Sequence, residues 1–311
     1  MVNKNISEVL IKTNFPCHKE IEFVNTKTNG DVLLFIDPVL IDVGQTDFCK
    51  KAKVILDDFF NQFYNAYYIN NNIASKRILL SHAMEINDTH LGYAIQNGHG
   101  NTEDGLLEIF KGVEDYITRI KISKIFELVL YVPNFAEDGM SDLLTNVLYN
   151  ELSEFTLKIC QKYSIKTSIC PEERSYWDCK THKWKKYNGN SLVVNGKPFL
   201  LIPKEIVQKS YKFTVDNFLR SVIVQNICDE AAYYDNSTKK EVRPLSKDKV
   251  REQLIKENGS ALNAIKNFSQ KDATLLNQYQ NIVLQKYLTL QLSDEQLDVI
   301  LYDKKFASDE L

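Results

Sequence analysis

Apolar and polar positions follow two periods along the chain, and they divide it into a mixed first part and a helical second part. VLLFIDPVLI (Val32 to Ile41) is apolar except at Asp37-Pro38. It predicts a buried strand ending in a turn, because proline cannot donate to a ladder. Phe48, Ala52, Ile55, Phe59 and Phe63 then recur at three- and four-residue steps, the spacing of one helical face. A glycine-bearing loop follows (LGYAIQNGHGNTEDG), and a helix is expected from Glu103 or Asp104 to Ile117. KIFELVLYV (Lys124 to Val132), rich in β-formers and stopped by Pro133, predicts a central strand. EDGMSD (Glu137 to Asp142) reads as the turn out of that strand, with Ser141 or Asp142 capping an amphipathic helix to about Tyr163.

Beyond that helix, IKTSICPEE predicts another strand, and SLVVNGKPFLLIPKEIV (Ser191 to Val207) has the pattern of a β-hairpin. From Phe213 onward the apolar spacing is helical. Later helices are expected over Lys247 to Phe268, Lys271 to Thr289 and Asp294 to Tyr302, the last opened by a Ser293/Gln296 capping box. The expected class is α/β, with α+β open: a mixed sheet core, flanking helices and a helical C-terminal part. A boundary near residue 235 divides an α/β core (1–235) from a helical extension (236–311).

Composition narrows the setting. With 311 residues, 44% hydrophobic and 25% charged, the chain has enough apolar surface for a large core. A net charge of −3 gives no global field for a polyanion, so any nucleic-acid contact must be a local patch. The first thirty residues mix Lys, Glu and Asn through the apolar positions, and no run reaches the ~18–20 apolar residues of a membrane span. A cytoplasmic protein without membrane contact is expected. Cys17, Cys49, Cys160, Cys170, Cys179 and Cys228 are scattered without a CxxC pair, which suits reduced, mostly buried thiols.

Candidate chemistry gathers on the helix after EDGMSD. Asp142, Asn146, Asn150 and Glu154 are polar at successive four-residue steps. At 1.5 Å per residue, Asp142 and Glu154 lie roughly 18 Å apart, too far to share one metal ion. Asp138, Asp142 and Asn146 are close enough for one small site; the plainer reading is a cap and a solvated face. Glu151 falls by helical angle among apolar residues, where a carboxylate needs a partner or a task. Lys204 ends an apolar strand, where metal-dependent nucleases place a lysine that stabilises phosphate charge. The acid usual two residues earlier is replaced by Ile202, so Glu151 or Glu154 has to supply it.

Weaker constellations are His82, Glu85, His90 and His99 with Asp104, and Cys160, Cys170, Cys179 and His182; neither has a compact zinc spacing. WDCKTHKWKKY (Trp177 to Tyr187) interleaves cations and indoles, as a nucleic-acid contact or as a hairpin with cross-strand Trp packing. No GxSxG, GxxxxGK[ST] or strand-linked GxGxxG occurs, so serine-hydrolase, P-loop and dinucleotide classes drop out.

FIDPVLI (Phe35 to Ile41), LGY with its glycines (Leu91 to Gly100), GMSDLLTN into LSEFT (Gly139 to Thr156) and FLLIPKEIV (Phe199 to Val207) together resemble a family of largely uncharacterised bacterial proteins associated with mobile and defence-related genomic regions. The resemblance places Asp37, Asp142, Asn146, Glu154 and Lys204 at motif positions. The leading expectation is a metal-dependent nuclease-like effector of anti-phage defence acting on DNA or RNA. In it Asp142, Asp37 and Asp138 bind Mg²⁺, Glu154 or Glu151 assists, and Lys204 stabilises phosphate charge. The alternative is a non-catalytic interaction or sensor module whose C-terminal helices bind a partner protein.

Overall fold

The computed structural model describes residues 4–13, 16–84, 86–93, 102–113, 119–120, 122–133, 135 and 137–302. After a short helix α1 (Ile6–Leu10), the FIDPVLI segment supplies only two residues of strand, β1 (Phe35–Ile36), before turning into α2 (Pro38–Val43). The expected buried strand is thus cut to two residues, and the turn after it opens a helix. Asp37 caps the helix by accepting from the Val39 N–H (2.8 Å), and Pro38 occupies the first helical position, where its missing donor does no harm. Helix α3 (Asp47–Tyr64), capped by Thr46, buries the Ala52, Ile55, Phe59 and Phe63 face read from the sequence. Helices α4 (Ile73–Leu80) and α5 (Glu103–Ile109) follow.

The central strand expected over Lys124 to Val132 is helical: a 3-10 turn (Ile125–Glu127) leads into α6 (Leu128–Tyr131). Glu127 accepts from the Ser123 and Lys124 N–H groups (2.6 and 3.2 Å) and so starts the turn. Leu128, Leu130 and Tyr131 are all buried, and a segment apolar on every side has no period to separate helix from strand. The next helix also differs from expectation. It begins at Glu137, with Glu137 and Asp138 in its first turn near the positive end of the helix dipole. Ser141 and Asp142 lie inside it. Leu148 (φ −97°, ψ 14°) then divides it into α7 (Glu137–Val147) and α8 (Tyr149–Lys162), so the polar ridge from Asp142 to Glu154 is not one straight row.

The sheet component is four small antiparallel sheets among the described residues. One has the order β2 (Ser168–Ile169), β5 (Asn190–Val194), β6 (Lys197–Phe199); its β5–β6 turn uses Asn195 and Gly196 at φ 53° and 81°, the left-handed pair a tight hairpin needs. The hairpin β3 (Ser175–Asp178) with β4 (Lys183–Lys186) sets Trp177 directly opposite Trp184. Strand β1 pairs with β7 (Val207–Gln208). A helix α9 (Val215–Phe218) continues through a π-helical segment into α10 (Val224–Glu230) and then a hairpin, β8 (Tyr233–Asp235) and β9 (Lys240–Val242).

After β9 all described elements are helical: α11 (Lys247–Asn258), α12 (Ala261–Lys271), α13 (Thr274–Tyr287) and α14 (Asp294–Tyr302). Gly259 at φ 77° ends α11 earlier than the apolar spacing suggests. Ser293 and Gln296 form the expected reciprocal cap (2.8 and 3.2 Å). Val250, Ile265, Tyr279 and Tyr287 share one apolar core with Phe59, Phe126 and Phe218. The fold is therefore mixed α/β with small sheets and a helical C-terminal part. No described helix is long and apolar enough to cross a membrane.

Candidate functional site

The motif segments meet in the interior, and they meet through polar side chains. The Ile36 N–H donates to Ser141 Oγ (3.1 Å), and the Asp37 N–H to the Ile206 carbonyl (2.8 Å). Asp37, fully buried, also accepts from Tyr287 Oη (2.7 Å), which fixes α13 to the start of α2. Burial pushes its carboxyl up to about 6 against the pull of the Tyr287 and Val39 hydrogen bonds. Tyr211 Oη donates to the Ile36 carbonyl (2.6 Å), and its phenol is held well above the ordinary value, first by burial and then by the carboxylates of Asp37, Glu137 and Asp142. Asp138 accepts from the Tyr93 N–H, and burial raises its carboxyl. A Cβ on Gly92 (φ 134°) would stand 3.0 Å from Asp138 Oδ1, so glycine is the residue that suits this contact.

The other nominated residues are spread out. Asn146 is buried and donates to the Met84 carbonyl (2.6 Å) and, within the helix, to the Asp142 carbonyl (3.0 Å). Lys204 pairs with Asp294 (2.6 Å) and donates to the His18 carbonyl, joining the 3-10 turn that precedes β7 to α14. His18, buried beside them, meets Asp298 Oδ1 at 2.5 Å; burial lowers its pKa while Asp298 opposes that. Asp37 and Asp142 share a neighbour in Tyr211, while Lys204 and Glu154 have their described contacts elsewhere, with Asp294 and His18 and with Lys51 and Asn150. Among the described residues no group of three or more His, Cys, Asp or Glu side chains is placed to hold a metal ion. Both oxygens of Asp37 are engaged by protein donors.

The histidine and cysteine constellations do not assemble either. His90 stacks on Phe199, His82 faces Trp184, and His182 pairs with Asp58 (2.7 Å). Glu85 and His99 lie outside the described residues. The six thiols are free. In the basic hairpin, Trp177 and Trp184 pack edge-on (5.5 Å) and both meet Phe59; their indole N–H groups donate to Asp58 and to the Leu79 carbonyl. The indoles therefore belong to the core.

Alternation along that hairpin turns its other face outward, with Tyr176 opposite Lys185 and Asp178 next along the same side. This face, the outer side of α3 and the first turns of α8 enclose a cleft of about 790 Å³. A second lobe of about 430 Å³ continues past Phe48 and Lys158 and shares Lys50, Lys51, Glu151 and Glu154 with the first. Glu151 sits where the lobes join. Its Oε1 accepts from Asn150 Nδ2 (3.2 Å), and its Oε2 is buried with no hydrogen-bond partner. Burial raises its carboxyl above the usual range, with Asn150 opposing and Glu154 adding to the shift. On the rim, Lys185 meets Asp178 (2.5 Å), holding that carboxyl down to about 2, and Lys51 lies 3.8 Å from Glu154. Lys50 and Lys180 are exposed and have no ion-pair partner among the described residues.

The helical angle of Glu151 marked it as a misplaced acid. Lys180 stood in the basic WDCKTHKWKKY run, while Lys50 and Tyr176 carried no mark, because these residues come together only when α3 and the hairpin fold against α8. The fold and this cleft define a helix-rich mixed α/β protein with an amphoteric pocket between a helix pair and a hairpin. Residues 15–214, well over half the chain, match the family model described as Domain of unknown function (DUF8370), and the chain belongs to that family. No curated protein and no solved structure matches it.

Proposed function

We propose that the protein is a non-catalytic sensor or interaction module that receives its ligand in the cleft between α3, α8 and the β3–β4 hairpin. The observation that carries this is a contrast in partnering. Asp37, Asn146 and Lys204 are occupied in fastening the fold, whereas the cleft holds exposed Lys50 and Lys180 beside a glutamate with an unpartnered oxygen. A buried polar atom without a partner is costly by about 1–3 kcal/mol, and ligand sites are where such costs are retained. The placement in bacterial anti-phage defence rests on the motif resemblance alone. In the test, Lys50→Glu with Lys180→Glu abolishes the protein's effect in infected host cells, while purified protein leaves DNA and RNA intact with Mg²⁺ or Mn²⁺. A folded double variant that keeps full effect would overturn the proposal.

A metal-dependent nuclease is the second reading, favoured by Glu151 and Glu154 sharing one cleft with lysines. On that reading the purified protein cleaves DNA or RNA when Mg²⁺ is added, and Glu151→Gln or Glu154→Gln ends the cleavage. Loss of cleavage on Asp142→Ala, with the cleft variants active, would move the centre to α7.

A further inference from the structure

We propose that the cleft binds a nucleoside phosphate, with Lys50 and Lys180 meeting the phosphate, Val54 and Tyr176 flanking the base, and Asn150 and Glu151 reading its edge; this rests on the cleft being the ligand site.

Charge sets the first requirement. Asp178 already neutralises Lys185, and Glu154 stands beside Lys51, which leaves Lys50 and Lys180 as the uncompensated cations of the rim. Two lysines without carboxylates call for an anionic group on the ligand. The acids between them also set a limit. Glu154 and Asp178 interrupt any continuous basic track, so a polymer with a charge at every step is repelled where a single phosphorylated molecule is not.

The walls set the second requirement. Val54 projects from α3 with 62% of its surface exposed and gives the cleft an apolar wall. Tyr176 lines the same cleft from the hairpin. A flat aromatic ring suits that pair of surfaces, since every base has a π-face that stacks on aromatic side chains. The floor sets the third. Asn150 Nδ2 donates to Glu151 Oε1 and Glu154 Oε1 (3.2 Å each), which turns its Oδ1 to the cleft beside the Glu151 carboxyl, whose buried Oε2 makes no hydrogen bond. Acceptor oxygens at that place suit the exocyclic amino group on the edge of a base. A volume of about 790 Å³ lies within the ~300–1,000 Å³ of small-molecule sites.

Isothermal titration calorimetry of the intact chain, with ATP, GTP, AMP, GMP, inorganic phosphate and a single-stranded oligonucleotide as probes, tests the assignment. At least one nucleoside phosphate is expected to bind more tightly than inorganic phosphate and the oligonucleotide. Lys50→Ala with Lys180→Ala is expected to weaken it at least tenfold, and Glu151→Gln to change the ratio between adenine and guanine ligands. Binding of inorganic phosphate or the oligonucleotide alone, lost in the lysine variant, overturns the nucleotide assignment and leaves the cleft as a ligand site. Nucleotide binding that the lysine variant does not weaken overturns both; the absence of binding by every probe overturns the nucleotide assignment, and together with an unchanged cellular effect of the cleft variants it overturns the cleft as well.

Discussion

The motif knot around Asp37 and the cleft around Glu151 each hold a buried or half-buried carboxyl group with raised pKa, yet they treat it oppositely. In the knot, Asp37 has a backbone donor and a phenol, and both contacts join segments far apart in sequence. In the cleft, Glu151 has one amide neighbour and an oxygen left over. A perturbed acid that is fully partnered is a fastener; one left incomplete beside open space is a receptor. The raised pKa alone does not separate the two.

The comparison can be broken first where the scaffold of the cleft is most tightly bound. Asp88, 3% exposed, accepts from Nη2 and Nε of Arg174 (2.7 and 2.8 Å) and from the Tyr149 hydroxyl (2.9 Å), so it pins the start of α8 to the segment that enters β3. Removing one partner of such a pair leaves a buried charge uncompensated. Arg174→Met is expected to lower stability by about 3–5 kcal/mol in urea denaturation at pH 7.

Next comes the pH response of the knot. Below about 6 the native Asp37 keeps its proton, while an unfolded aspartate gives it up above 3.8, so the native state binds more protons in that window and stability falls as pH rises through it. Full ionisation of Asp37 in the fold costs about 3 kcal/mol. Glu127, raised to about 7 chiefly by burial, acts in the same direction. Denaturant midpoints are therefore expected to rise as pH falls from 8 toward 5, and Asp37→Asn to flatten part of that slope. A smaller loss, about 1 kcal/mol, is expected for Ser293→Ala, which removes the cap of α14. Smallest of all is the effect of Lys50→Ala with Lys180→Ala on stability, within about 0.5 kcal/mol, although the same change is expected to weaken ligand binding at least tenfold.

What could be read from the sequence followed the range of the interactions. The face of α3 and the Ser293/Gln296 cap were legible because their determinants lie within a few residues of one another. Leu128, Leu130 and Tyr131 were misread as strand because burial on every side erases the period that tells a helix from a strand. Lys204 looked like a reactive strand end, since its partners His18 and Asp294 come from opposite ends of the chain. Asp37 and Ser141 sat in recognisable motifs, and in the fold those motifs lock β1, α2 and α7 together. Of the cleft, Glu151 stood out as an acid on an apolar face, Asn150 and Glu154 as part of the polar ridge and Lys180 as part of the basic run, but nothing local placed them together.

The most direct test is the stability of Glu151→Met, a change of similar length that removes the unpartnered carboxyl from the junction of the two lobes. If Glu151 is held for a ligand at a cost to the fold, urea denaturation at pH 8 will show the variant more stable than the natural chain by about 1 kcal/mol. A loss of stability of similar size would make Glu151 one more fastener and contradict the account.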